Sequence, residues 1–346
     1  MGYFCNFRGV LNLLKVNPKT PYTMKIQPVF VCLLWLFLLT AGRQFAAAQS
    51  RSNSALGIDL ADYQPGRNNR LLDTGDTIRD IIVYLPKSYN PQTPAALVLA
   101  FHDTGSDGEQ FFNTSGWAEM ADAGNFIVVF PSALAHCYSD GKKNITRTRW
   151  NDYSLTGNLC AGQPANDLSF TKTLLQDLQQ GLNIDPKRIF ATGFGGGADF
   201  TARLSVELNK EIAAFGMVGG GLAIAGNAKP APFVYPSVYY LLGQTDSRIS
   251  GTEQPLPIDE RRFIKTPLWQ TIGKLPALYH LKSNYKVTDR SKHLTFLFTD
   301  NIGKQNNEMQ LTIVRNLQKD YPNGSNHPEN AAALLWKFFN AHPQPQ

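Results

Sequence analysis

The chain has 346 residues, of which 43% are hydrophobic and 17% charged. That apolar share excludes global disorder, and four cysteines are too few for a small disulfide scaffold. A balance of 33 Lys and Arg against 27 Asp and Glu gives +6, which invites a nucleic-acid or membrane-surface reading until the charge is located.

The charge sits at the start. From Met24 the chain reads MKIQPVFVCLLWLFLLTAGRQFAAAQS. Lys25 supplies a positive head, Val29 to Thr40 a 12-residue run with Thr40 its only non-apolar member, and Ala46-Ala47-Ala48 a small-residue cleavage site. These are the parts of a secretory signal peptide, and the run is shorter than the ~20 residues of a membrane span. Residues 1–48 are therefore expected to be a leader, with Met24 the more natural start. They hold five basic residues (Arg8, Lys15, Lys19, Lys25 and Arg43) and no acidic one. Cleavage after Ala48 leaves 298 residues, 28 basic against 27 acidic. It also removes Cys5 and Cys32. In an oxidising compartment the remaining Cys137 and Cys160 are expected to pair. The mature chain is thus expected to be secreted, or periplasmic, with no nucleic-acid partner and no stable membrane span.

Residues 49–77 read as a polar arm. From Ile78 onward strand-like and helix-like stretches alternate. Ile81 to Leu85, Ala96 to Phe101 (ALVLAF) and Phe126 to Phe130 (FIVVF) are continuous apolar runs, which suit strands buried on both faces of a parallel sheet. Asp167 to Leu182 is helical, with leucines on one face. Then follow a strand at Arg188 to Thr192, a helix at Ala198 to Leu208, and strands at Ile212 to Val218, Ser237 to Leu242 and Met309 to Val314. A last helix is expected from Pro328, a favoured first helical residue. The alternation predicts a doubly wound α/β domain over 78–346. Residues 251–290 break it and, with four prolines, read as an inserted lid or loop.

The informative stretch is Arg188-Ile-Phe-Ala-Thr-Gly193-Phe194-Gly195-Gly196-Gly197-Ala198-Asp199-Phe200, a strand entering a glycine-rich turn before a helix. That is the setting of a nucleophile elbow, G-x-S-x-G, with Gly195 where the serine would stand. The same residues fit G-x-G-x-x-G/A, the dinucleotide fingerprint. That reading ranks lower. The motif falls after at least three strands, and the next strand ends in Val218-Gly219-Gly220-Gly221 without the required acid. A turn with no ligand at all is the third reading.

DPKRIFATGFGGGADFTARL followed by EIAAFGMVGGG resembles the elbow region of secreted feruloyl esterases and polyhydroxybutyrate depolymerases. IIVYLPKSYNPQTPAALVLAFHD resembles their opening strands, FIVVFPSA the third strand, YYLLGQTDSRIS the acid loop and NGSNHPENAAALLWKFF the histidine loop. The similarity runs over about 78–341 in the right order. It implies an α/β-hydrolase fold, a mostly parallel central sheet with helices on both faces. It also implies a triad in which Asp246 and His327 survive as remnants while Gly195 has lost the nucleophile. The oxyanion hole is expected from the Gly196 amide and one from the 103–104 turn, where Asp103 replaces the family's glycine. A carboxylate there opposes developing negative charge. The cysteines usual around such an elbow are replaced by Asn183 and Val206.

Three functions follow. The first is a degenerate esterase with weak or no turnover that keeps a cleft for a small ester, polyester or plant-wall carbohydrate. The second is a hydrolase in which His327, oriented by Asp246, activates a water at Gly195. The third is a non-catalytic interaction protein. No cofactor is called for, no metal-ligand spacing is present, and the chain is expected to be a monomer. Trp150 and Tyr153 could stack on a ligand but are expected to pack their own loop. Asn113, Asn144 and Asn323 stand in N-x-S/T sequons.

Overall fold

A computed structural model describes residues 63–344 apart from 140, 156, 158, 224–234 and 300–306. The expected leader and residues 49–62 of the arm lie outside the described residues.

The strands are β1 (Gly66–Asp73), β2 (Ile78–Leu85), β3 (Ala95–Phe101), β4 (Ile127–Pro131), β5 (Ala135–Ser139), β6 (Asn144–Thr148), β7 (Ile184–Phe194), β8 (Ala214–Val218), β9 (Ser237–Gly243), β10 (Tyr285–Asp289), β11 (His293–Thr299) and β12 (Glu308–Val314). Ten of them form one sheet in the order β1-β2-β4-β3-β7-β8-β9-β12-β11-β10, and β5 and β6 form a separate hairpin. The run from β4 through β12 is parallel, and antiparallel strands flank it at both ends. This is the α/β-hydrolase fold.

The centre forms where the apolar runs predict it. Leu97 to Phe101 and Ile127 to Phe130 are fully buried, as strands covered on both faces must be. Of the helices α1 (Gly108–Thr114), α2 (Trp117–Gly124), α3 (Asp167–Gly181), α4 (Gly196–Glu207) and α5 (Ser247–Ser250), α4 packs on β7 and β8, and the last helix, α9 (Ala331–Ala341), packs against β7, β8 and β9. The expected start of this last helix is corrected. Asn330, not Pro328, opens it, its side chain accepting the Ala333 amide at 2.9 Å.

Two further expectations change. The arm does not continue to residue 77, because Gly66–Asp73 pairs along its whole length with β2. Within 251–290 the chain forms three short helices, α6 (Glu260–Phe263), α7 (Pro267–Ile272) and α8 (Leu275–Leu278), and then edge strand β10. Cys137 and Cys160 are joined in a disulfide with Cα atoms 5.5 Å apart.

Candidate active site

The parallel strands β3, β7, β8 and β9 end at Phe101, Phe194, Val218 and Gly243. The segments leaving those ends carry Asp103, Gly195, Gly219–Gly221 and Asp246. In open α/β sheets this carboxyl edge is where ligands bind. A cleft of about 540 Å³ opens here, lined among others by Asp103, Gly195, Asp199, Arg248 and, from α7, Leu268. A neighbouring cavity of about 670 Å³ shares Asp103 and Thr104 with it.

Gly195 holds the elbow's backbone. Its φ is +53° and its ψ −115°, a conformation costly for any residue with a Cβ. Its amide donates to Val218 O at 3.0 Å, and its carbonyl accepts the Ala198 amide at 2.9 Å, which starts α4. Strand and helix meet closely on either side. A Cβ on Gly193 would strike the Gly197 carbonyl, and one on Gly197 the Phe101 carbonyl.

The space beside Gly195 is filled. A Cβ built there would overlap the carboxylate of Asp103. Asp103 Oδ1 accepts both the Gly196 amide and the Thr104 amide, each at 2.7 Å. The Gly196 amide and, from the 103–104 turn, the Thr104 amide thus converge on one carboxylate oxygen of Asp103. Its backbone is fixed by buried His102. The His102 Nε2 accepts the Ala133 amide at 2.9 Å, so Nδ1 carries the proton and donates to Asp103 O at 2.7 Å. Burial lowers the His102 pKa and keeps the ring neutral.

The structure does not join Asp246 and His327. Asp246 is 1% exposed and binds Arg248 instead. Its Oδ1 accepts Arg248 N and Nε, each at 3.0 Å, and its Oδ2 accepts Nη2 at 2.8 Å. Arg248 Nη1 then reaches Asp103 Oδ2 at 3.3 Å. A guanidinium thus links the acid position to the carboxylate beside Gly195. His327 is committed elsewhere. Its Nδ1 accepts the Glu329 amide at 3.0 Å and its Nε2 donates to Arg315 O at 3.1 Å. It orders the turn before α9. Among the described residues, no histidine lines the cleft.

Two residues of this cleft were not singled out from the sequence. Arg248 follows Asp246 by two positions, a spacing at a helix start from which a long side chain can turn back. Asp199 stands in the first turn of α4, and its Oδ1 accepts the Gly221 amide at 2.7 Å. Burial pushes its carboxyl up to about 6, against that hydrogen bond, and nearby Asp152 and Asp103 add to the rise.

Trp150 and Tyr153 pack their loop. Trp150 is fully buried, stacked on Phe200, with Nε1 donating to His102 O at 3.1 Å. Tyr153 bonds Glu207, and Arg203 covers its ring at 4.4 Å. No group of three or more His, Cys, Asp or Glu side chains is placed to hold a metal among the described residues. No described helix is long and apolar enough to cross a membrane.

Known esterases share this sequence pattern. The chain is 26% identical over 142 residues to a bifunctional acetylxylan esterase/xylanase of Neocallimastix patriciarum, covering 41% of this chain and 18% of that one. It is also 26% identical over 188 residues to feruloyl esterase D of Neurospora crassa, covering 54% of this chain and 59% of that protein. The matched region therefore spans less than two thirds of either relative. Among solved structures, an acetyl xylan esterase from Aspergillus awamori superposes with a TM-score of 0.49 at 15% identity, over 79% of this chain and 99% of that one. No family profile matches the chain.

Proposed function

We propose that this chain is an exported, esterase-like protein that has lost ester turnover and keeps its cleft for a plant-wall ester or its carbohydrate. One observation carries the reading. The carboxylate of Asp103 fills the place of a nucleophile's side chain at Gly195 and takes both amides that would hold an oxyanion. Acyl transfer needs a nucleophile, a base within reach of it and donors for the oxygen that becomes negative. Gly195 supplies no nucleophile. Asp246 is saturated by Arg248, and both His327 ring nitrogens are bound elsewhere. The similarity to acetylxylan and feruloyl esterases supports the ligand class.

The water-activating alternative fares worse on the same grounds. It requires His327 turned to the cleft and Asp246 behind it, and neither holds its expected partner. Purified protein should hydrolyse p-nitrophenyl acetate and methyl ferulate no faster than buffer, and His327→Ala should leave that rate unchanged. Turnover well above buffer that His327→Ala abolishes would refute the proposal and restore the water mechanism. Binding of feruloylated or acetylated xylo-oligosaccharide, measured by calorimetry, separates a ligand-binding protein from one with a purely structural role.

A further inference from the structure

We propose that the Thr104 and Gly196 amides form a competent carboxylate-binding pocket, that Asp103 is its built-in occupant, and that Arg248 is the latch that keeps it closed. The pocket is recognisable by what fills it. One carboxylate oxygen, Asp103 Oδ1, receives two backbone N–H groups from different segments, the β3–α1 turn and the start of α4, each at 2.7 Å. Here α1 is Gly108–Thr114. Charge-assisted bonds of this length are the strong class, and the first turn of a twelve-residue helix adds its own positive end. The second oxygen, Oδ2, meets the guanidinium of Arg248 at 3.3 Å. That guanidinium is anchored from below by Asp246, which is 1% exposed and holds it through two oxygens. Arg248 Nη2 also donates to Lys319 O at 3.2 Å, and Arg248 Cζ lies 5.5 Å from the centre of the Phe194 ring. The cation is therefore fixed, and it fixes Asp103 in turn.

The arrangement is an autoinhibitory contact. The occupant is tethered, so its effective concentration exceeds what a dilute free anion can offer. Asp103 lines both the 540 Å³ cleft and the 670 Å³ cavity. Withdrawal of this one side chain would free both amides. The ligand class that would then enter is a small organic carboxylate, because the pocket already binds that group by geometry.

The inference rests on Gly195 marking a vestigial elbow, but its readout is binding, not turnover. Acetate is titrated into the full chain, and the amide resonances of Thr104 and Gly196 are followed by NMR. Three proteins are compared: wild type, Asp103→Ala and Arg248→Gln. Asp103→Ala should show saturable shifts at both amides, with a midpoint at least tenfold below any seen in wild type. Arg248→Gln should fall between the two. Equal responses in wild type and Asp103→Ala, or an equal effect of chloride on the variant, would overturn the proposal. If Asp103→Ala does not fold, Arg248→Gln decides. A midpoint at least threefold below wild type is expected, and one matching wild type is fatal. Ester hydrolysis by the wild type would refute the functional reading, whereas a silent acetate titration would refute only the latch.

Discussion

Asp103 and Gly195 are sterically exclusive partners. The carboxylate of the first occupies the volume a Cβ on the second would need, and both lie at the carboxyl ends of adjacent strands, β3 and β7. Gly195→Ala should therefore carry two costs. Backbone strain at φ +53° contributes about 1–3 kcal/mol, and overlap with Asp103 a similar amount. In an Asp103→Gly background only the strain should remain. Urea denaturation of the four proteins should give a coupling energy of about 1–3 kcal/mol. Strictly additive costs would mean that Asp103 simply swings aside. The same reasoning implies that Gly195→Ser alone cannot rebuild a nucleophile.

Arg248 should matter to the fold more than its position suggests. Its side chain is 36% exposed, but the carboxylate it satisfies is 1% exposed. Removing one partner of such a pair leaves a buried charge uncompensated, which costs about 3–5 kcal/mol when both are buried. Exposure of about a third of the arginine lets water in, so Arg248→Ala should cost about 2–3 kcal/mol in thermal or urea melts. Adding Asp246→Asn should recover part of that loss. A double variant less stable than Arg248→Ala would show that Asp246 has other work in the fold.

Asp199 should make stability depend on pH. Its folded pKa of about 6 lies above the ~3.9 of an unfolded aspartate, so the folded state holds the proton more tightly. Its stabilising contribution is therefore complete below about pH 4 and is lost as pH rises through 6. Asp199→Asn should flatten the curve between pH 4 and 7 and raise stability at pH 7 by on the order of 2 kcal/mol. The amide oxygen of asparagine can still accept the Gly221 N–H. A slope unchanged by the substitution would assign the pH dependence to other groups.

Sequence patterns reveal the frame better than the site. Continuous apolar runs such as ALVLAF become the central strands because burial on both faces demands apolar residues throughout. Edge strands carry no such demand. Gly66–Asp73 is mostly polar and half solvated, so it reads as an arm. The tight turn at Gly195 was legible because the strand–turn–helix setting and the glycine spacing are local. The partnership of Asp246 was not. Its carboxylate could turn to His327, far along the chain, or to Arg248, two residues away, and only the packed loops choose. His327 sits before Pro328 and Glu329, and the nearby amide of Glu329 claims its Nδ1. Local hydrogen bonding thus outcompetes the long-range pairing that the loop's resemblance implies.

The disulfide ties down the loop that supplies one wall of the cleft. The disulfide-closed segment from Cys137, inside β5, to Cys160 carries β6 and then Arg149 and Asp152, which line the 540 Å³ space and pair at 3.5 Å. Cross-linking residues 23 apart restricts the unfolded chain and should contribute about 3 kcal/mol. Because one bond needs both sulfurs, Cys137→Ser and Cys160→Ser should each lose that amount, and the double variant should lose little more. Denaturation of the three proteins under non-reducing conditions checks this, with thiol titration as a parallel count. Two independent thiols would instead give single losses that add. The disulfide also holds the backbone that carries Trp150, whose indole supports His102 O and, one residue on, the placement of Asp103. Its loss should therefore broaden the Gly196 and Thr104 amide resonances before the fold is lost, and resonances as sharp as in the oxidised protein would uncouple the hairpin from the site.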